Sequence, residues 1–345
     1  MLAYLILEHK SPRQLSRLIE ALQHPKAAFF VHLDAKAEPG QFRYMTRAHD
    51  NVHFLDKRLR QFITWGGWNM VQAELHLTRA ALDAGAESLL LLSGTDYPVW
   101  SNRKLVEFFL SAERSHIEHF PLPCPFWDLG GLNRIRQYWL SDDPIRIKQR
   151  LYRRTLGRLW QPFWHLVIRR FANLGFKLGY ELGLRRSYPK DLAPYAGSQW
   201  WALTRAGAEA VMELCRARPR VVRFYRHSHI PDEGFFQTAL LNSPQREAVV
   251  NDNLRYLEWD SGFSPRFLEH GDLDVILRSG AAFVRKVTLG TVKDPKSGVT
   301  VNSAALVAAL DELRKDTRDE RRPQQGEPPR HAGARHESSP EFQDT

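Results

Sequence analysis

The 345-residue chain predicts an α/β fold, a doubly wound and mostly parallel sheet with helices on both faces and a basic helical insertion. Apolar runs of strand length alternate with amphipathic segments from the N-terminus to about residue 111. The runs are apolar on successive residues rather than alternate ones, as strands covered on both faces require. The rhythm breaks between residues 126 and 195, where Lys and Arg accumulate, and then resumes.

Residues 2–8 form the first strand, and "SPRQLSRLIEAL" follows with Ser11 as cap, Pro12 opening a helix and leucines at helical spacing. "AAFFVHLDAK" gives a second strand that stops at Asp34, which begins a parallel sheet. "NVHFL" is a short third strand, and residues 67–84 form a long amphipathic helix. "ESLLLLSGTDYPVW" is a buried strand running into a loop, and "SNRKLVEFFLS" a helix capped by Ser101 or Asn102. From Arg134 to Lys190 there are 14 Lys plus Arg against 3 Asp plus Glu, interleaved with aromatics as in "GRLWQPFWHLVIRRF". That segment is either a helical insertion with a solvated basic face or an amphipathic helix for an anionic membrane. "GSQWWALTRAGAEAVMEL" restores strand and helix. From about Arg314 the chain is polar, Pro-bearing and nearly free of aliphatics, so residues 311–345 read as a disordered tail behind one domain spanning 1–310.

A hydrophobic content of 43% supports a sizeable core and excludes a disordered protein. The net charge of +10 suits nucleic acid, an anionic membrane or phosphate-bearing substrates, and its location decides among them. Aliphatic and aromatic residues outnumber phosphate-contact types in the basic segment, which speaks against nucleic acid. Two cysteines, Cys124 and Cys215, allow one disulfide at most and suit a reducing compartment. The apolar start lacks a basic n-region and a cleavage site, and no stretch approaches the roughly 18 apolar residues of a membrane span. The expected location is cytoplasmic, peripheral to the inner membrane if the basic segment binds lipid.

P-loop, GxGxxG, HExxH and GxSxG patterns are lacking, so those chemistries lack their parts. In a doubly wound sheet, ligands bind beyond the carboxyl ends of the strands. That rule points to His9, Lys10, Asp34, Lys36 and the loop Ser93–Tyr97. In "HSHIPDEGFFQTALLNS", Asp232 and Glu233 are either acidic first-turn residues of a helix or the source of a general base. "DLD" at 272–274 lies in a helical pattern and reads as surface or first-turn acid.

Seven segments in order, "HLDAK", "WGGWNMVQAEL", "LLSGTDYPVWSN", "GSQWWALTR", "PDEGFFQTALLNS", "NLRYLEWD" and "GAAFVRKV", resemble the core-2/I-branching enzyme family of β-1,6-N-acetylglucosaminyltransferases and peptide O-xylosyltransferases, bacterial members above all. The resemblance spans roughly residues 2–288 apart from the basic insertion at 126–195. It implies a GT-A-like, inverting and metal-independent glycosyltransferase that moves a sugar from a UDP-sugar to the hydroxyl of a glycan, glycolipid or peptide, without a cofactor. It makes Glu233 the general base and Asp232 a second choice. Lys286 and Arg266 match the family's basic residues at the diphosphate, with Arg285 as a substitute. Uridine falls against His9, Asp34 and Lys36, with Asp96 in the same crevice. Ser198, Gln199 and Trp200 lie where the family contacts donor or acceptor sugar. Gln199 departs from vertebrate xylosyltransferases, which carry Asp there, so the donor stays open between GlcNAc and xylose. Trp259 and Trp201 suit either sugar stacking or the core. The rival from another class is a non-catalytic nucleotide-sugar or polyanion-binding protein on the same fold.

Overall fold

The computed structural model describes residues 1–140, 161–259, 264–293, 298 and 300–315, with backbone only for 161–169. The stretch 141–160 of the basic segment and the polar stretch from 316 onward lie outside the described residues. Strands β1 (Leu2–Glu8), β2 (Ala27–Leu33), β3 (Val52–Phe54) and β4 (Ser88–Ser93) run parallel, with β1 between β2 and β4. They are joined by α1 (Pro12–Ala21), α2 (Pro39–Thr46) and α3 (Trp68–Asp83). After β4 come β5 (Asp96–Pro98), α4 (Asn102–Ser111), β6 (Ser115–Ile117), β7 (Phe120–Pro121) and α5 (Leu132–Arg136). Helix α6 (Gln161–Glu181) and β8 (Tyr195–Ala196) lead to β9 (Trp201–Thr204), which returns antiparallel between β4 and β6. Then α7 (Arg205–Ala217), α8 (Pro219–Tyr225) and α9 (Phe235–Leu241) precede β10 (Val249–Val250), and the sheet reads β10-β6-β9-β4-β1-β2-β3.

One reversed strand in an otherwise parallel sheet has a functional consequence. The segment entering β9, residues 198–200, arrives at the end of the sheet where β1, β2 and β4 stop. A second, three-stranded sheet extends that end. In it β11 (Arg255–Leu257) pairs parallel with β12 (Phe283–Arg285), which follows α10 (Leu273–Ser279), and β12 pairs antiparallel with β5.

Both faces of the central sheet are buried, as the apolar runs predict. Leu2, Tyr4 and Ile6 face α1, α4 and the last helix, α11 (Ala304–Lys315), through Leu15, Leu18, Phe109, Leu306 and Leu310. Ala3 and Leu5 face the other way, toward Trp68, Val71 and Leu77 of α3 and Val211 of α7. The expected caps form, with Ser11 accepting from Gln14 N at 3.3 Å and Ser101 from Lys104 N at 3.4 Å. Helix α11 runs to Lys315, past residue 310, held where Arg314 donates to the carbonyls of Trp100 (2.9 Å) and Ala21 (2.5 Å). Both cysteines are free. Among the described residues, no helix is long and apolar enough to cross a membrane.

A third apolar cluster, Leu122, Cys124, Ile135 and Ala196, packs under the β7–β8 ribbon. Next to it the backbone of Gly197 lies against the next turn so closely that a Cβ would stand 1.8 Å from the Glu118 carbonyl oxygen. Gly197→Ala is expected to lower stability by about 3 kcal/mol, since main chain rather than a side chain must move. Denaturant unfolding checks this, and an unchanged midpoint would refute the close approach.

Candidate active site

Glu233 is not on a helix. Residues Pro231–Glu233 form a single 3-10 turn, and Gly234 interrupts the chain before α9 begins. The acidic pair therefore does not serve as the first turn of a long helix. Ile230, just before it, holds φ 49°, ψ 57°, a left-handed conformation that a β-branched residue strongly disfavours. It is pinned there by its N–H to the Gly66 carbonyl at 3.1 Å, and Gly197 N donates to the Glu233 carbonyl at 2.9 Å. The turn aims the two carboxylates oppositely. Glu233 is 31% exposed in its side chain and receives Arg134 Nη1 on Oε2 at 2.7 Å. Asp232 is buried, with Oδ1 lacking any partner. Its side chain is enclosed rather than offered to solvent.

Behind Glu233 sits a second enclosed carboxyl that the sequence reading missed. Glu74, on the buried stripe of α3 with Val71 and Thr78, is fully inaccessible. Its Oε1 accepts from Gln199 Nε2 at 2.8 Å, and its Oε2 has no partner. Burial, and then the nearby charge of Asp232, hold the Glu74 acid well above the usual carboxylate range. Burial and then Glu233 push Asp232 up to about 7. His229 is pushed the other way, to about 4, by burial and by Arg134, and it stacks on Trp139 at 4.0 Å.

From Gly197 the chain passes Ser198 and Gln199 to Trp200, whose ring carries Arg285 at 4.2 Å and Arg255 at 5.4 Å. Arg285 donates to Ser93 Oγ, to Thr95 Oγ1 at 2.9 Å and to Asp96 Oδ1 at 3.1 Å. Asp96 is fully enclosed between Arg285 and Arg255, so it lines no crevice and organises the cations instead. Trp201 is wholly buried and stacks on Phe236 at 4.9 Å, which gives it to the core. Trp259 is 41% exposed. Lys286 follows Arg285 and donates to Ser264 Oγ. Arg266 lies between Glu258 (2.7 Å) and Asp272 (2.6 Å), two carboxylates for one guanidinium. Asp272 is therefore not merely a surface or first-turn acid.

At the ends of β1 and β2, Glu8 accepts from the N–H groups of His9 (2.6 Å) and Lys10 (2.8 Å), leaving the His9 side chain exposed. A Cβ on Gly94 would stand 1.6 Å from Glu8 Oε2, so a larger residue there would displace that carboxylate from the His9 and Lys10 N–H groups. Asp34 is buried; its Oδ1 accepts from Lys36 N at 2.8 Å and its Oδ2 from Ile63 N at 3.3 Å. Arg60 donates to the Leu33, Asp34 and Ala37 carbonyls at 2.8, 2.7 and 2.6 Å. These bonds fasten the 59–67 loop, whose far end, Gly66, touches Ile230. Gln199 and Glu233 are thus tied through Gly197 and the chain to Trp200, on which Arg285 lies, while Asp34 reaches Ile230 through the 59–67 loop.

A family model described as Core-2/I-Branching enzyme matches residues 2–276. Xylosyltransferase 2 of Canis lupus familiaris is 27% identical over 269 residues, which cover 75% of this chain and 26% of that protein. Beta-glucuronosyltransferase GlcAT14A of Arabidopsis thaliana is 26% identical over 292 residues, 79% of this chain and 58% of that protein. The chain spans about a quarter of the length of the xylosyltransferases it matches. Among solved structures, the apo WbbM bifunctional glycosyltransferase aligns with 82% of this chain and 45% of its own at 11% identity and a TM-score of 0.32, too loose a superposition to carry weight.

Asp232 yields a pH signature. Its folded pKa of about 7 lies above the ordinary value near 4, so the folded state holds the proton more tightly than the unfolded chain. The stability this lends is present at low pH and is lost as pH rises from about 4 through 7, on the order of 4 kcal/mol. Asp232→Asn should remove that slope and raise the unfolding midpoint above pH 7 relative to wild type. Parallel midpoint-against-pH curves for the two proteins would contradict it.

Proposed function

The chain belongs to the core-2/I-branching enzyme family, and from that premise we propose that it is an inverting, metal-independent glycosyltransferase that moves GlcNAc or xylose from a UDP-sugar to an acceptor hydroxyl. The observation that carries the reading is the half-exposed Glu233 carboxylate, fixed on a strained turn and joined through residues 197–200 to a buried arginine cluster.

Inverting transfer needs a base on the face away from the leaving group, and Glu233 takes that role. Arg134 engages Oε2; among the described residues Oε1 has no other partner and remains for the acceptor proton. The departing UDP gathers negative charge on its diphosphate, and fixed cations meet it without reorganisation. Two guanidiniums, Arg255 and Arg285, share the single carboxylate of Asp96 and leave a net positive charge, to which Lys286 adds. Arg266 is outnumbered by Glu258 and Asp272, so the diphosphate role passes from Arg266 to Arg285. The uridine is placed at the ends of β1 and β2, with His9 exposed to it and Asp34 holding the loop around it. Ser198 and Gln199 face the sugar; the Gln199 amide nitrogen is committed to Glu74, which leaves its carbonyl oxygen for a sugar hydroxyl.

Glu233→Gln is expected to lower turnover roughly 100- to 10,000-fold while UDP affinity changes little. A UDP-release assay with UDP-GlcNAc and UDP-xylose, in the presence of EDTA, measures the first, and calorimetry the second. Turnover that survives the substitution would eliminate Glu233 as base, and UDP binding without turnover in wild type would favour the non-catalytic alternative. Arg285→Ala should weaken UDP binding about tenfold or more. An intact affinity would return the diphosphate to other residues.

A further inference from the structure

Helix α6 presents two unlike faces. Toward the body, Asn173 Oδ1 accepts from Leu140 N at 2.9 Å, Phe176 meets the Tyr138 ring at 5.8 Å, and Tyr180 is buried. Toward solvent, Phe171, Leu174, Leu178 and Leu182 follow at i, i+3, i+7 and i+11, one stripe on a helix, at 69%, 52%, 52% and 82% exposure. Leu182 continues the stripe because its N–H still bonds to Leu178 O at 2.9 Å. Leu184, in the turn beyond, is 74% exposed. A solvated helix face is ordinarily polar, and a contiguous apolar stripe marks an interaction site. Exposed Arg170 and Lys177 lie on the same helix and Arg185 just beyond it, against one exposed acid, Glu181.

We propose that α6 lies in the plane of an anionic lipid surface, with its leucine–phenylalanine stripe among the acyl chains and the flanking bases at the phosphate headgroups. Charge selects this occupant. A second copy docked stripe to stripe would bring the same bases together, and like charges at an interface repel. Nucleic acid offers its phosphates to the bases but nothing to four exposed apolar side chains. A lipid surface answers both the stripe and the charge. The inference stands apart from the reaction assigned to the site, because it uses none of the same residues.

Flotation of the full chain with vesicles of phosphatidylglycerol and phosphatidylcholine, against phosphatidylcholine alone, tests it. Binding is expected to the anionic vesicles only, and to weaken as salt rises. Leu174→Glu with Leu178→Glu should reduce it about tenfold or more, and Lys177→Glu with Arg185→Glu several-fold, with unfolding midpoints and turnover on a soluble acceptor unchanged. No binding, equal binding to both vesicles, or undiminished binding by the leucine double variant would overturn the proposal. So would a dimer that the leucine substitutions dissociate, since a second copy would then own the stripe.

Discussion

A carboxylate with no exposure must be matched by opposite charge or protonated, and Asp96 is matched twice. It closes the turn after β4 by accepting from Ser93 N at 2.8 Å, and it faces Arg285 because β5 and β12 pair with those two residues opposite each other. Arg255 approaches from β11 and spends its remaining donors on the Leu91 and Asn253 carbonyls. Burial lowers Arg255 to about 10, which leaves it charged at neutral pH. The cluster therefore joins the two sheets and at the same time aims Arg285 across the face of Trp200. Removing Asp96 would strand two cations, so the small sheet and the charge of the site rest on one side chain.

The opposite wall of the cleft is built by strain and enclosure rather than by ion pairing. Ile230 is held left-handed by Gly66, and that conformation lets Asp232 turn inward while Glu233 turns outward. Burial raises both the inward carboxyl and Glu74, with Asp232 adding to the rise at Glu74 and Glu233 to the rise at Asp232, so protons rather than cations offset their burial. Glu74 in turn fixes the Gln199 amide. A residue on α3, two residues on the approach to β9 and the turn before α9 thereby behave as one unit. The 59–67 loop extends that unit to Asp34, through Ile63 N on Asp34 at one end and Gly66 on Ile230 at the other.

The doubly wound sheet was legible because its evidence is local. Apolar runs, Ser11 and Ser101 as caps, and the 16-residue α3 follow from spacing alone, and the structure places them within a residue or two. The basic segment was visible as charge, but not that Arg134 crosses 99 positions to reach Glu233. Arg134 looked like one cation among fourteen; only tertiary folding distinguishes it. Glu74 did leave a trace, a carboxylate on the apolar stripe of an amphipathic helix, between Val71 and Thr78. The pattern "PDEGFF" suggested a helix start, yet Gly234 uncouples the acids from α9, and glycine directly after an acidic pair was the available sign. Arg266 and Arg285 were indistinguishable as letters. Their companions separate them, and those companions come from elements far apart in the chain.

That last contrast bears on how the net charge of +10 is used. Positive charge on Arg255 and Arg285 is largely enclosed, shared over Asp96 and oriented, so its field depends on geometry and is poorly screened by salt. Positive charge along α6 is exposed and arranged beside an apolar stripe, where it acts over a surface and is screened readily. The two populations of basic residues answer to different physics. A single figure for net charge merges them, and the burial of each guanidinium and ammonium group is what tells them apart.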